Sequence, residues 1–203
     1  MITKNLIFDY DGTLVDSFPA MIEKFTLMAD EFNFRKIRYN EIENLRDLTS
    51  RELIKYLQIP IYKLPSVLHS ARKHMRSEMQ ILLPFKNLPE VLQELQNINI
   101  SLGILTSNST ENVTKWLEYH KIQHLFNFIH VEASYFGKKQ ILQKILKTYK
   151  INKSQAFYIG DETRDMEAAK ECEIGSIAVT WGFNSERILL NSEPDYIARK
   201  PED

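Results

Sequence analysis

A single cysteine, Cys172, excludes an internal disulfide in this chain of 203 residues and fits a reducing compartment. The five histidines, His69, His74, His120, His124 and His130, show no zinc-ligand spacing with it. No apolar run approaches the roughly 20 residues of a membrane span. The opening Met1-Ile2-Thr3-Lys4-Asn5 passes straight into Leu6-Ile7-Phe8, with no room for a secretory signal. Neither sign of charge is in excess: 26 Lys and Arg face 27 Asp and Glu, a formal charge of -1. Without a broad field, nucleic acid and anionic membrane are poor partners, although a local positive pocket remains open. Repeats and low-complexity tracts are also missing. The expectation is a cytoplasmic protein, monomer or homodimer, that meets small molecules.

What is present is an ordinary globular composition, 43 % apolar and 26 % charged, enough for one sizeable core and a small insertion. Five short apolar runs, Leu6–Phe8, Ile100–Leu105, Phe128–Val131, Ala156–Ile159 and Ile174–Val179, suit strands buried on both faces of a parallel sheet. Amphipathic stretches at Pro89–Asn97, Glu111–His120, Lys138–Tyr149 and Arg164–Glu173 alternate with them, which predicts a Rossmann-like, doubly wound α/β fold. The rhythm breaks between Asp16 and Leu83. There Met21, Ile22, Phe25 and Met28, then Leu53, Ile54 and Leu57, then Val67–Met79 read as helices, with Pro60 and Pro65 between the last two and Pro84 at the end. The expected organisation is a core of residues 1–15 and 84–203 carrying a helical insertion at 16–83, with ordinary crossover helices as the alternative.

In open α/β sheets, ligands bind beyond the C-terminal strand ends. After the first run comes Asp9-Tyr10-Asp11-Gly12-Thr13. Period-two alternation aims both carboxylates to one side, and Gly12 permits a sharp turn. Two acids in one pocket need a shared proton or a divalent cation, and an all-oxygen ligand set favours Mg2+ over zinc. Plain turn residues are the alternative.

Three more strand ends carry polar groups. Thr106-Ser107-Asn108-Ser109 opens a helix, where hydroxyls and free N–H groups offer an anion site or serve as simple caps. Phe136-Gly137-Lys138-Lys139 places lysine at a helix start, where the macrodipole disfavours it unless an anion compensates. Gly160-Asp161-Glu162-Thr163-Arg164-Asp165 can bring Asp161 to the same cation as Asp9, with Asp165 one turn behind; both could also be caps. Glu162 and Arg164 read as exposed charges.

Taken in order, Asp9-x-Asp11-Gly12-Thr13, Thr106, Lys138 and Gly160-Asp161-x-x-x-Asp165 resemble the four motifs of the haloacid dehalogenase (HAD) superfamily over nearly the whole chain. Leu14-Val15-Asp16-Ser17 and Thr180-Trp181-Gly182-Phe183 are similar to its phosphoglycolate-phosphatase-like members, and the insertion to the helical cap of the first subclass. The resemblance implies a Mg2+-dependent phosphatase acting on a small phosphate monoester, phosphoglycolate-like or a sugar phosphate. Asp9 would be the nucleophile that forms an aspartyl-phosphate, and Asp11 the general acid and base. Thr106, Ser107, Asn108 and Lys138 would hold the phosphoryl oxygens. The metal would lie on Asp9, the Asp11 backbone carbonyl and Asp161, with Asp165 supporting from behind or through water. Many relatives carry proline after the third-motif lysine; here Lys139 follows, so the choice of Lys138 over Lys139 rests on adjacency to Gly137.

Cap residues should choose the leaving group. Arg46, Arg51, Arg72, Lys73, His74 and Arg76 are the basic candidates and would suit a carboxylated or polyphosphorylated ester. Arg46, Thr49 and Arg51 fall between helices where a loop could face the core, and Phe18 could wall the pocket. A phosphomutase would keep every core motif; a non-catalytic, phospho-accepting regulatory module needs no such insertion. A dehalogenase would not need the acidic metal site.

Overall fold

The computed structural model describes residues 4–76, 78, 81–131 and 137–203, apart from the side chain of Arg72. Met79, proposed above as a helix end, and Phe136 lie outside the described residues.

β1 (Asn5–Phe8), β2 (Ser101–Thr106), β3 (Phe128–Val131), β4 (Ala156–Gly160), β5 (Gly175–Val179) and β6 (Tyr196–Ala198) form one sheet in the order β3-β2-β1-β4-β5-β6. Every neighbouring pair is parallel. The five expected strands lie within a residue of their apolar runs. β6 is an addition: an edge strand of three residues, half exposed, carries no buried run to announce it. The strand order reverses between β1 and β4, so their C-terminal ends frame a crevice.

Alternation along the strands divides the core. Phe8, Leu102, Ile104 and Ile159 face one way, against Leu88 and Leu92 of α5 (Leu88–Asn97) and Val113, Trp116 and Leu117 of α6 (Thr110–Tyr119). Ile7, Leu105 and Tyr158 face the other way, against Ile141, Leu142 and Ile145 of α7 (Lys138–Thr148) and Ala168, Ala169 and Cys172 of α8 (Thr163–Cys172). Truncating a fully buried leucine such as Leu92 to alanine is expected to cost about 2–5 kcal/mol. The short α9 (Glu186–Leu190) packs Leu189 against Met166 and Ala178.

Between β1 and α5 the chain forms α1 (Phe18–Phe32), α2 (Ile42–Leu45), α3 (Ser50–Tyr56) and α4 (Leu64–Met75). Met28, Ala29, Phe34, Leu45, Leu57 and Val67 join in a cluster of their own, apart from both sheet faces. Pro65 does not separate two helices, as the sequence reading had it. It lies in the first turn of α4, where its missing N–H has no intrahelical partner to lose. The outgoing and returning connections run side by side: Asp16 N donates to Leu83 O at 3.0 Å, and Val15 pairs antiparallel with Pro84. Trp116 Nε1 at 2.7 Å and His120 Nε2 at 2.9 Å both donate to Leu82 O, fixing the returning connection to α6.

Candidate active site

The first carboxylates follow directly from the end of β1. Asp9 N donates to Ile159 O at 2.8 Å, which continues the ladder one residue past the strand. Tyr10 is fully buried, edge-on to Trp116 with ring centroids 5.3 Å apart. Its neighbours Asp9 and Asp11 instead meet Lys138 and Asn108, so alternation separates the packing residue from the two acids. Gly12 then takes φ +79, and a Cβ there would lie 2.2 Å from Asp161 Oδ2. Only glycine serves both the turn and the close approach.

Across the crevice, Lys138 Nζ, at the first position of α7, donates to Asp9 Oδ2 at 2.9 Å and to Asp165 Oδ1. Burial opposes the ammonium charge, but Asp165 and Asp9 more than offset it and hold Lys138 well above the usual lysine range. The anion that its helix-start position calls for is this pair of protein carboxylates. Lys139 is half exposed and 3.8 Å from Glu171, so geometry supports Lys138 as the buried member of the pair. Asp165 also accepts from Glu162 N at 3.0 Å, which makes it a cap of α8 as well as Lys138's partner.

Asp161 is completely buried. It accepts from Thr13 Oγ1 at 2.7 Å and from Phe183 N at 2.6 Å. Asp9, Asp161 and Asp165 each offer an oxygen within 4.8 Å of the others. Burial, then the neighbouring acids Glu162, Asp165 and Asp9, push the Asp161 carboxyl well up. Asp165 is pushed up to about 6, chiefly by burial. Three buried acids face one lysine, so their charge is under-compensated, and all the donors are hard oxygens. This set fits a divalent cation of the calcium or magnesium type and not a thiophilic one.

Asp11 turns the other way, into the space between the sheet and the α1–α4 bundle. Asn108 Nδ2 donates to its Oδ2 at 3.1 Å, and its Oδ1 has no hydrogen-bond partner among the described residues. Burial, opposed by the Asn108 hydrogen bond and assisted by the Asp9 charge, pushes its carboxyl up to about 6. Asn108 is held in turn: its Oδ1 accepts from Ser109 N at 2.8 Å and Asn112 Nδ2 at 2.9 Å. Thr106 closes β2, with its Oγ1 accepting from Asn108 N at 3.0 Å, and Ser109 caps α6. The strand-end polar run therefore contains both a cap and a side chain aimed at the acid loop. Four strand or helix ends thus deliver two differently placed acids, a buried lysine, a carboxylate cluster and a hydroxyl–amide loop to one crevice.

The haloacid dehalogenase-like hydrolase family model matches residues 6–179. The chain belongs to that family. A phosphoglycolate phosphatase of Synechococcus elongatus is 29 % identical over 198 residues, covering 98 % of this chain and 93 % of that one. Pyrophosphatase PpaX of Oceanobacillus iheyensis is 24 % identical, with 97 % and 92 % covered. Among solved structures, a haloacid dehalogenase-like family hydrolase of Streptococcus pneumoniae superposes with a TM-score of 0.81 at 27 % identity, covering 98 % of this chain and 95 % of that one.

In this haloacid dehalogenase-like hydrolase, a cavity of about 150 Å3 lies between the acid loop and the α1–α4 bundle. Phe18 walls it as expected, edge-on to Phe183 with centroids 5.1 Å apart. Other expectations for the bundle need correction. Arg46 does not line the cavity: its guanidinium donates to Gly182 O at 2.9 Å and to Thr180 O and Phe183 O at 3.4 Å. A planar fork of donors satisfies a turn's carbonyls, so Arg46 joins bundle to sheet. Thr49 caps α3 through Glu52 N, and Thr49 and the exposed Arg51 line an adjoining groove that also includes Lys138, Lys139 and Arg164. Arg76 is engaged by Glu111, His74 bonds within its own helix, and Lys73 is exposed. Arg72's side chain lies outside the described residues.

Two residues read as exposed are not. Glu162 and Arg164 are 13 % and 22 % exposed, bonded to each other and lining the cavity, and Ser50 Oγ donates to Glu162 Oε2 at 2.5 Å. A charged pair inside an acidic helix start looks in sequence like ordinary capping; only the bundle lying over it reveals the burial.

Proposed function

We propose that this protein is a Mg2+-dependent phosphatase that hydrolyses a small-molecule phosphate monoester through an aspartyl-phosphate on Asp9. The observation that carries the reading is the opposed placement of the two loop acids. Asp9 is fixed on Lys138 beside the Asp161 and Asp165 cluster, while Asp11 is bonded to Asn108 and lines the cavity. Asp9 would attack phosphorus, and Asp11, its carboxyl raised toward neutrality, would protonate the departing alkoxide and then take a proton from the attacking water. Lys138, Thr106, Ser107 and Asn108 would hold the phosphoryl oxygens, since this chemistry depends mainly on position and charge neutralisation. When bound on Asp9, the Asp11 carbonyl and Asp161, with Asp165 behind, magnesium supplies positive charge to the transferring group.

The bundle at residues 16–83 is the cap in this reading, and residues 1–15 and 84–203 are the catalytic core. Cap closure would exclude water from the first step and admit it for the second. Among the described residues no helix is long and apolar enough to cross a membrane. Similarity puts phosphoglycolate and sugar phosphates among the first esters to assay.

The test is phosphate release from a panel of esters with Mg2+. Activity should disappear in Asp9→Asn and Asp11→Asn, and release should need no sugar bisphosphate activator, which separates a phosphatase from a phosphomutase. Silence across a broad panel sinks the enzyme reading.

A further inference from the structure

We infer that the leaving group is apolar, an alkyl or aryl group about the size of a benzene ring, and neither a carboxylate nor a polyphosphate. The inference rests on the phosphatase reading and deepens it. The cavity begins at Asp11, Ser107 and Asn108, so whatever leaves Asp9-bound phosphorus on that side enters it. Among the described residues, every bundle side chain lining it except Ser50 is apolar; these include Met21 together with Ile22, Phe25, Leu53, Leu68 and Ala71 of the bundle's own core cluster. The hydrogen-bonding groups Ser107, Asn108, Asn184 and the Glu162–Arg164 pair come from the sheet side, and Ser50 is bonded to Glu162.

Charge settles the class more sharply than shape. The titratable side chains that line the cavity among the described residues are Asp11, Glu162 and Arg164, two acids against one cation, and the cation is already bonded to an acid. Among the described bundle cations, Arg46 holds loop carbonyls, Arg76 is paired with Glu111, and Arg51 lines the adjoining groove with Lys138 and Lys139. A carboxylate or second phosphate entering the cavity would add a third negative charge, without a counter-ion or donors in the apolar wall, and buried unpaired charge is the costliest form of burial. A sugar would leave its hydroxyls equally unpartnered against that wall. An apolar cavity of about 150 Å3 does accommodate a benzene-sized guest.

Steady-state kinetics with Mg2+ on acetyl phosphate, phosphoglycolate, glucose 6-phosphate, phenyl phosphate and the methyl-to-octyl phosphates tests this. For the alkyl series, kcat/KM should rise about fourfold per methylene and level off near six carbons, where the cavity is full. Hexyl and phenyl phosphate should exceed phosphoglycolate by at least about a hundredfold. Ala71→Leu, which crowds the apolar wall, should lower the hexyl-to-acetyl phosphate ratio by about tenfold or more. Turnover of acetyl phosphate with phosphoglycolate or the sugar phosphate preferred over hexyl phosphate, or a flat alkyl series, overturns the inference and leaves the phosphatase reading standing. Failure to hydrolyse any ester, acetyl phosphate included, overturns both.

Discussion

Replacing Lys138 by methionine isolates the electrostatic balance of the site. The change keeps most of the side-chain volume and removes one charge that contacts two carboxylates in a region where the three side chains are 8 %, 6 % and 0 % exposed. Removing one partner of a buried ion pair costs about 3–5 kcal/mol, because the remaining charge has neither water nor a counter-ion. The loss should depend on pH in a definite direction. Asp165 has its folded pKa raised to about 6, above the usual carboxylate value of 3.8. Its contribution to stability is therefore full at low pH and declines as pH rises through that interval. Without Lys138 the folded pKa rises further and the decline is steeper. Lys138 is held above its usual value against burial by Asp165 and Asp9, so its stabilising share depends on those charges and fades as pH falls through about 6, where Asp165 takes up a proton. Urea unfolding in EDTA should then show Lys138→Met weaker than the parent by about 3–5 kcal/mol at pH 8, with a smaller deficit near pH 4, where Asp165 is protonated. Lys139→Met, beside Glu171 on the surface, should stay within about 0.5 kcal/mol at both pH values. A deficit that is the same at pH 4 and pH 8, or below about 1 kcal/mol at pH 8, would refute the reasoning.

Other perturbations follow from the same geometry. Removing divalent cations with EDTA should abolish phosphate release, and Mg2+ should restore it. In Asp11→Asn, hydrolysis should fall by about 10²–10⁴. An activated ester such as acetyl phosphate should then leave phosphate on Asp9, visible as a mass increase on intact protein that Asp9→Asn never shows. Gly12→Ala should be inactive and thermally weakened, because its Cβ meets Asp161 at 2.2 Å and its φ of +79 is strained for alanine; unchanged activity would contradict the turn geometry. Arg46→Ala should cost about 1.5–3 kcal/mol through its hydrogen bonds to the Thr180–Phe183 turn, read by urea unfolding, and should spare the alkyl-length preference.

Much of the sheet was legible because strands covered on both faces must be continuously apolar. β1 to β5 announced themselves in that way, whereas β6, a three-residue edge with one neighbour, needs no such run. The position of the acid loop was equally legible, since in open α/β sheets the crevice lies beyond the C-terminal strand ends and Asp9 and Asp11 directly follow β1. The choice of Lys138 over Lys139 rested in sequence only on adjacency to Gly137, because adjacent lysines at a helix start are alike until packing places one beside Asp9 and Asp165. The bundle was read as helices from periodicity, but the facing of its charges escaped. Arg46 was expected to select substrate because loops between helices can face a site. Its actual partners, the carbonyls of Thr180, Gly182 and Phe183, lie about 135 residues away in sequence. Glu162 and Arg164 were misjudged for the same reason: what covers them comes from α3, across the chain.

The paired connections at Leu14–Asp16 and Leu83–Phe85 also have a mechanical meaning. Gly12 N donates to Val15 O at 2.9 Å, so the acid loop is laced into the same strip of backbone that tethers the bundle. A tether with two parallel straps along one edge favours swinging over twisting, like a door on two hinges. Torque on that door is delivered to the segment between Asp9 and Asp11, so substrate filling the cavity would press directly on the lever that sets the spacing of the two acids.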